Sequence, residues 1–195
     1  MYPRECPQPM AESALLTGHP EPTSLAYAIA KLAGVQLCQS YNRQYGGQRF
    51  IPVIPNSAYG PNDNFDPGSG HVLSALISRF HNAKQEGREE VVLWGSGTPR
   101  REFIHADDVA DAVLWLLTLP ELPSELPINI GSGTDYSIKE LAEAIAKIVG
   151  YEGTIAWDRD KPDGAPRKLL DSTRMKATGW RPTIDLDSGL RDTYR

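Results

Sequence analysis

Cysteine is scarce in this chain: Cys6 and Cys38 are the only two in 195 residues. They form neither a CxxC pair nor a dense disulfide framework, so they read as free thiols in a reducing cytosol, and a sulfur-ligated metal is not expected. Positive charge is also short. Twenty basic residues stand against 25 acidic ones, a net charge of −5, so nucleic acid and anionic membranes are not expected partners. An anionic ligand must therefore be met by a local cluster of cations. Long apolar runs are missing too: the best, AVLWLLTLP (112–120), falls well short of the ~20 residues that span a bilayer. The opening MYPRECPQPM has no apolar core of a signal peptide. The expectation is a cytoplasmic protein, neither exported nor embedded.

What is present is the composition of a globular protein, with 40% hydrophobic and 23% charged residues. Sixteen prolines and 17 glycines are spread along the chain, which points to many short loops. Residues 1–24 hold five prolines and little periodicity, and read as an irregular surface loop. From Leu25 to Tyr45, three- and four-residue steps through Ile29, Leu32, Ala33, Gln36, Leu37 and Ser40 predict a helix that stops at Gly46 and Gly47. RFIPVIPN predicts a short buried strand, and YGPNDNFDPGSG a long loop. HVLSALISRFHNAKQ predicts a second helix, VVLWGSG a strand, and HADDVADAVLWLLTL a third helix entered through an acidic cap near Asp107. PINIGSG predicts another strand. In SIKELAEAIAKIVG, Ser137 and Glu140 form a capping box and Gly150 supplies the stop. Strands alternating with helices predict an α/β protein with parallel pairing.

Tyr27 and Lys31 stand four residues apart, hence on one face of the first helix, where hydroxyl and ammonium can reach one cleft. A nearby cation stabilises a phenolate, and a phenol so placed can exchange a proton with a carbonyl oxygen. Such a spacing alone occurs by chance in many helices. Its surroundings are more specific: EPTSLAYAIAKLAG, PNSAYGPNDNF, HVLSALISRFH, VVLWGSGTPRREFIHADDVA and KPDGAPRKLLD together closely resemble the GDP-L-fucose synthase family, a branch of the extended short-chain dehydrogenases/reductases. The likeness runs along the whole chain.

The resemblance implies a Rossmann-type parallel sheet, here its C-terminal part, plus a smaller mixed α/β substrate-binding domain. Residues 1–56 would be the remnant of the dinucleotide-binding domain. Residues 57–195 would be the nucleotide-sugar region, interleaved with the last Rossmann elements at about 100–132. It implies NADP(H) as cofactor, a GDP-sugar substrate epimerised at C3 and C5 and reduced at C4, and a homodimer. Tyr27 would protonate the C4 oxygen, Lys31 would bind the nicotinamide ribose, and His71 would serve the epimerisation steps, a role suited to a group that both gives and takes protons. Pro55, Asn56, Ser57 and Ala58 would touch the nicotinamide; relatives usually carry Asn where Ser57 stands, and the shorter hydroxyl reaches less far. Arg79, Trp94, Arg101, Asp163 and Lys168 would bind the nucleotide sugar along with Ser57, cations being what a pyrophosphate requires. Taken singly, Arg79 and Lys168 also fit solvated surface charges and Trp94 a core tryptophan. His81 and His105 carry no assigned role; His105 is expected to sit structurally beside the acidic cap.

A reductase of this kind needs a strand, a glycine-rich turn and a helix for the cofactor's pyrophosphate. Neither G-x-x-G-x-x-G nor G-x-G-x-x-G follows a strand, and the two GSGT stretches lie deep in the chain without that context. The expectation is thus a C-terminal portion that lacks the glycine-rich N-terminal half and is inactive alone. Two alternatives remain open: a catalytically dead nucleotide-sugar-binding fragment, and another extended-family sugar epimerase or dehydratase.

Overall fold

The computed structural model describes residues 1–47, 50–66, 68–121 and 126–195. Arg49, at the head of the RFIPVIPN run, and Pro67, within the long loop, lie outside the described residues. Besides two short 3-10 helices (Glu12–Ala14 and Pro22–Ser24), six α-helices and eight strands are described: α1 (Leu25–Tyr45), β1 (Val53–Pro55), β2 (Ser57–Tyr59), α2 (Val72–Gln85), β3 (Glu90–Trp94), β4 (Arg100–His105), α3 (Ala106–Thr118), β5 (Ile128–Ile130), β6 (Asp135–Ser137), α4 (Ile138–Val149), β7 (Thr154–Asp158), β8 (Arg167–Lys168), α5 (Thr173–Ala177) and α6 (Leu186–Tyr194). The α/β class and the parallel pairing stand: β1 pairs with β5, β2 with β4, β3 with β7 and β4 with β8 in parallel, and only β4 with β6 runs antiparallel. No described helix is long and apolar enough to cross a membrane.

Local sequence explains the best-formed elements. In α4 the Ser137 hydroxyl accepts from the Glu140 amide at 3.1 Å and the Glu140 carboxylate accepts from the Ser137 amide at 2.7 Å. Gly150, at φ 73°, then turns the chain out of the helix. The entry of α3 differs from expectation. Its cap is the imidazole of His105, whose Nδ1 accepts from the Asp107 amide at 3.3 Å; Asp107 belongs to the first turn instead. The polar Arg100-Arg101-Glu102 start hid the strand character of β4, and β6 and β7 were likewise not expected.

Two apolar clusters hold the molecule. One lies between α2, α4 and strands β3 and β4, with Phe80, Leu73, Leu141 and Ile145 almost wholly buried. The other joins Ile104, Ala112, Leu116, Ile128, Ile130, Met175 and Trp180 around β5 and α3. Helix α1 contributes little to either, since only Ala28, Leu32 and Val35 are buried along its length. Its other face exposes Ile29, Leu37, Tyr41 and Tyr45.

The N-terminal 24 residues are not merely a surface loop. Pro3, Met10 and Glu12 are buried; Met10 exchanges backbone hydrogen bonds with Leu169 (2.8 Å) and Asp171 (2.9 Å), and the Glu12 carboxylate accepts from the Asn129 amide at 3.0 Å. Long-range partners create this order, and no local pattern signals it.

Candidate functional site

Tyr27 stands 60% exposed on α1, clear of packed hydrocarbon. The Lys31 ammonium lies 5.6 Å from the centre of its ring, so the four-residue spacing does bring cation and phenol to one side of the helix. Among the described residues, no hydrogen bond ties this pair to the rest of the site.

Parallel strands bring a second group together. Ser57 in β2 registers with Phe103 in β4, and Arg101 in β4 registers with Lys168 in β8. Pro55, Ser57 and Ala58 are exposed at the β1–β2 junction. Asn56 is turned inward: its amide Nδ2 donates to the buried carboxylate of Glu102, and its Oδ1 accepts from the Ser57 amide at 2.9 Å. The Asn56 side chain is therefore committed to holding the strand end, and the outward position is left to the Ser57 hydroxyl.

Arg101, partly buried, and Lys168, which keeps open surface on β8, form a cationic pair. Burial, and then the Arg101 charge, hold the Lys168 ammonium below lysine's ordinary 10.5, and burial also lowers Arg101. Beneath them an ion-pair network fixes the strand: Arg100 meets Asp135 at 2.9 Å, and Arg167 meets the same carboxylate. Burial acts to raise Asp135, but Arg167 and Arg100 outweigh it and keep it below the usual carboxylate range.

A third group forms a rim. Trp94 is 69% exposed, which rules out a core role, and the Lys161 ammonium lies 5.5 Å from its ring centre. Asp163 accepts from the Ser96 amide at 2.9 Å and from the Ser96 hydroxyl at 2.6 Å; these bonds hold its carboxyl below the ordinary range. The glycines of WGSGTP serve this closure. Gly95 and Gly97 adopt φ of 80° and 75°, and a Cβ on Gly97 would stand 2.6 Å from the Trp157 ring. A Gly97→Ala substitution, strained both in backbone and in packing, is expected to cost about 1–3 kcal/mol, read as a lowered thermal midpoint.

His71 is the exposed N-terminal flank of α2 and makes no side-chain cap bond. Arg79 donates to the Val92 carbonyl at 3.2 Å. His81 shares a 3.0 Å hydrogen bond with Tyr194, and His105 is buried at the α3 entry as expected. Residues not singled out in the sequence also belong here: Ser96 and Lys161 complete the rim, and Glu102 lies beneath the strand end. All three lie within motifs already noted, but Glu102 follows two arginines at the charged start of β4, so nothing local marks it as buried. Among the described residues, no group of three or more His, Cys, Asp or Glu forms a metal site.

The family profile described as NAD dependent epimerase/dehydratase family matches residues 1–131. The chain belongs to that family. It is 51% identical over 202 residues to GDP-L-fucose synthase of Escherichia coli (strain K12), covering 100% of this chain and 63% of the relative. It is 52% identical over 195 residues to GDP-L-fucose synthase 1 of Arabidopsis thaliana, covering 100% and 59%. Among solved structures, a GDP-L-fucose synthetase from Naegleria fowleri bound to NADP superposes with TM-score 0.91 at 29% identity, covering 99% of this chain and 61% of that one. This likeness places the fold among the Rossmann-type epimerases and reductases. The chain thus spans about 60% of the length of the curated relatives it matches.

Proposed function

We propose that this chain is the nucleotide-sugar-binding and proton-transfer portion of an NADP(H)-dependent enzyme that converts GDP-4-keto-6-deoxy-D-mannose to GDP-L-fucose. The observation that carries the reading is the exposed Tyr27–Lys31 pair, set in a sequence about half identical throughout to GDP-L-fucose synthases. Tyr27 gives a proton to the C4 oxygen while Lys31, close to its ring, orients the nicotinamide ribose and supplies positive charge. His71 moves protons at C3 and C5 from the N-terminal flank of α2. Arg101 and Lys168 neutralise the pyrophosphate, and Trp94 offers a flat face to the base.

The fit to the cofactor is partial. The open side of α1 and the exposed strand end at Pro55, Ser57 and Ala58 suit its nicotinamide end, while the described residues include no glycine-rich turn for its pyrophosphate. When bound, NADPH supplies hydride to C4. Residues 1–56 then read as the cofactor side and 57–195 as the sugar side, with the later Rossmann strand β5 and helix α3 between. The apolar face of α1 supports a further protein surface there, in keeping with a paired enzyme.

Calorimetry tests the nucleotide site directly. GDP is expected to bind the chain, and Lys168→Gln to weaken it about tenfold. If GDP binds and NADPH does not, the second reading, a nucleotide-sugar binder without cofactor, gains for the isolated chain; if neither binds, both fall. A pH titration sharpens this. The charged ammonium attracts the phosphates, and its value is lowered, so the affinity contributed by Lys168 should fade as pH rises, at lower pH than an ordinary lysine would allow. Lys168→Arg should remove that part of the profile, since guanine's own titration affects both proteins alike. Superimposable profiles for the two proteins would reject Lys168 as the pyrophosphate cation.

A further inference from the structure

Glu102 has no exposed surface and lies where β4 changes partners. Its own register partner is Asp135 in β6, and the next residue, Phe103, pairs with Ser57 in β2. All of its hydrogen-bond partners are donors: Oε1 accepts from the Gly133 amide at 2.6 Å, and Oε2 accepts both from the Leu170 amide at 2.9 Å and from Asn56 Nδ2. Gly131 closes over the carboxylate, and a Cβ there would collide with it. An acceptor-only group suits this surrounding, because an amide in its place would point N–H at N–H. Burial acts to raise its titration, against the Leu170, Gly133 and Asn56 hydrogen bonds.

The bonds lead to both ends of the site. Asn56, held by Glu102, holds the Ser57 amide. Leu170, on the same Glu102 oxygen, stands two residues beyond Lys168 in β8. We infer that Glu102 is a positioning residue that fixes the cofactor-side contact Ser57 and the sugar-side cation Lys168 relative to each other, through a single carboxylate oxygen shared by Asn56 and Leu170. The inference rests on the functional reading above, in which Ser57 and Lys168 serve those two roles.

Amide hydrogen exchange on the chain, with GDP calorimetry beside it, tests this link. In Glu102→Gln, the Ser57 and Leu170 amides should both exchange faster, by about tenfold or more, while Val91 in β3 keeps its protection. Asn56→Ala should accelerate Ser57 and also alter Leu170, although Asn56 makes no hydrogen bond to Leu170. In calorimetry, Lys168→Gln should weaken GDP clearly in the unsubstituted chain and much less in the Glu102→Gln background, the non-additivity of linked residues. Acceleration of only one of the two amides, or additive losses of GDP affinity, would overturn the link. If Glu102→Gln also exposes Val91, the fold has loosened and the Asn56→Ala result decides. If the unsubstituted chain does not bind GDP, the functional reading falls, and the exchange result alone decides the link.

Discussion

Tyr27→Phe is expected to lower turnover by roughly 10²–10⁴, the range for loss of a positioned general acid. The assay joins this chain to the N-terminal segment of the Escherichia coli relative, 51% identical, and follows NADPH absorbance with GDP-4-keto-6-deoxymannose. The substitution removes one oxygen from a ring that is 60% exposed, so the urea midpoint should not move, and a loss of rate reports chemistry rather than folding. Lys31→Met should reduce the rate through the same pair, since the ammonium 5.6 Å from the ring centre would be gone. GDP affinity should be untouched in both variants, because among the described residues no hydrogen bond joins α1 to the cationic pair. Turnover in Tyr27→Phe within threefold of the parent would remove the phenol from the reaction.

The largest loss of stability is expected from Asp108→Ala. This carboxylate is 2% exposed and accepts three hydrogen bonds of 3.0 Å, from the Thr183 amide, the Thr183 hydroxyl and the Ile184 amide. It latches the segment entering α6 onto α3. Removing it strands three donors that were paired with a charge, at a cost of about 3–5 kcal/mol. Asp108→Asn keeps an acceptor but turns N–H toward a donor, so it should cost less than Asp108→Ala. Asp111→Ala makes a useful contrast: that carboxylate is exposed and takes one bond, from Trp180 Nε1 at 2.7 Å, worth about 1 kcal/mol. Urea denaturation should rank the three variants in that order, and a loss below 1 kcal/mol for Asp108→Ala would contradict the latch.

What was legible in the sequence was written locally. Helix α1 was expected from Leu25 to Tyr45 and is found there, because its periodic residues and the closing glycines are neighbours in the chain. The capping box of α4 is likewise a matter of residues three apart. The same holds for Tyr27 and Lys31, whose spacing alone places them together. The strands were harder. β6 and β8 are three and two residues long, too short to show alternation, and β4 opens on charged residues whose partners, Asp135 and Glu140, lie 35 and 40 positions away. Glu102 was invisible for the same reason, since its donors at Gly133 and Leu170 are separated from it by 31 and 68 positions. Asn56 presents the converse case: its residue type suits contact with a sugar, but the fold turns its amide inward.

The closure between Ser96 and Asp163 has a further meaning for how a nucleotide would arrive. The lip that carries Trp94 is already latched, by two hydrogen bonds and by glycine turns that tolerate no side chain. If Trp94 receives the base as proposed, the guest would meet a preset mould and need not freeze a wandering strand of protein. Association at this edge should therefore proceed at nearly the pace of encounter, with selectivity expressed in how long the guest remains.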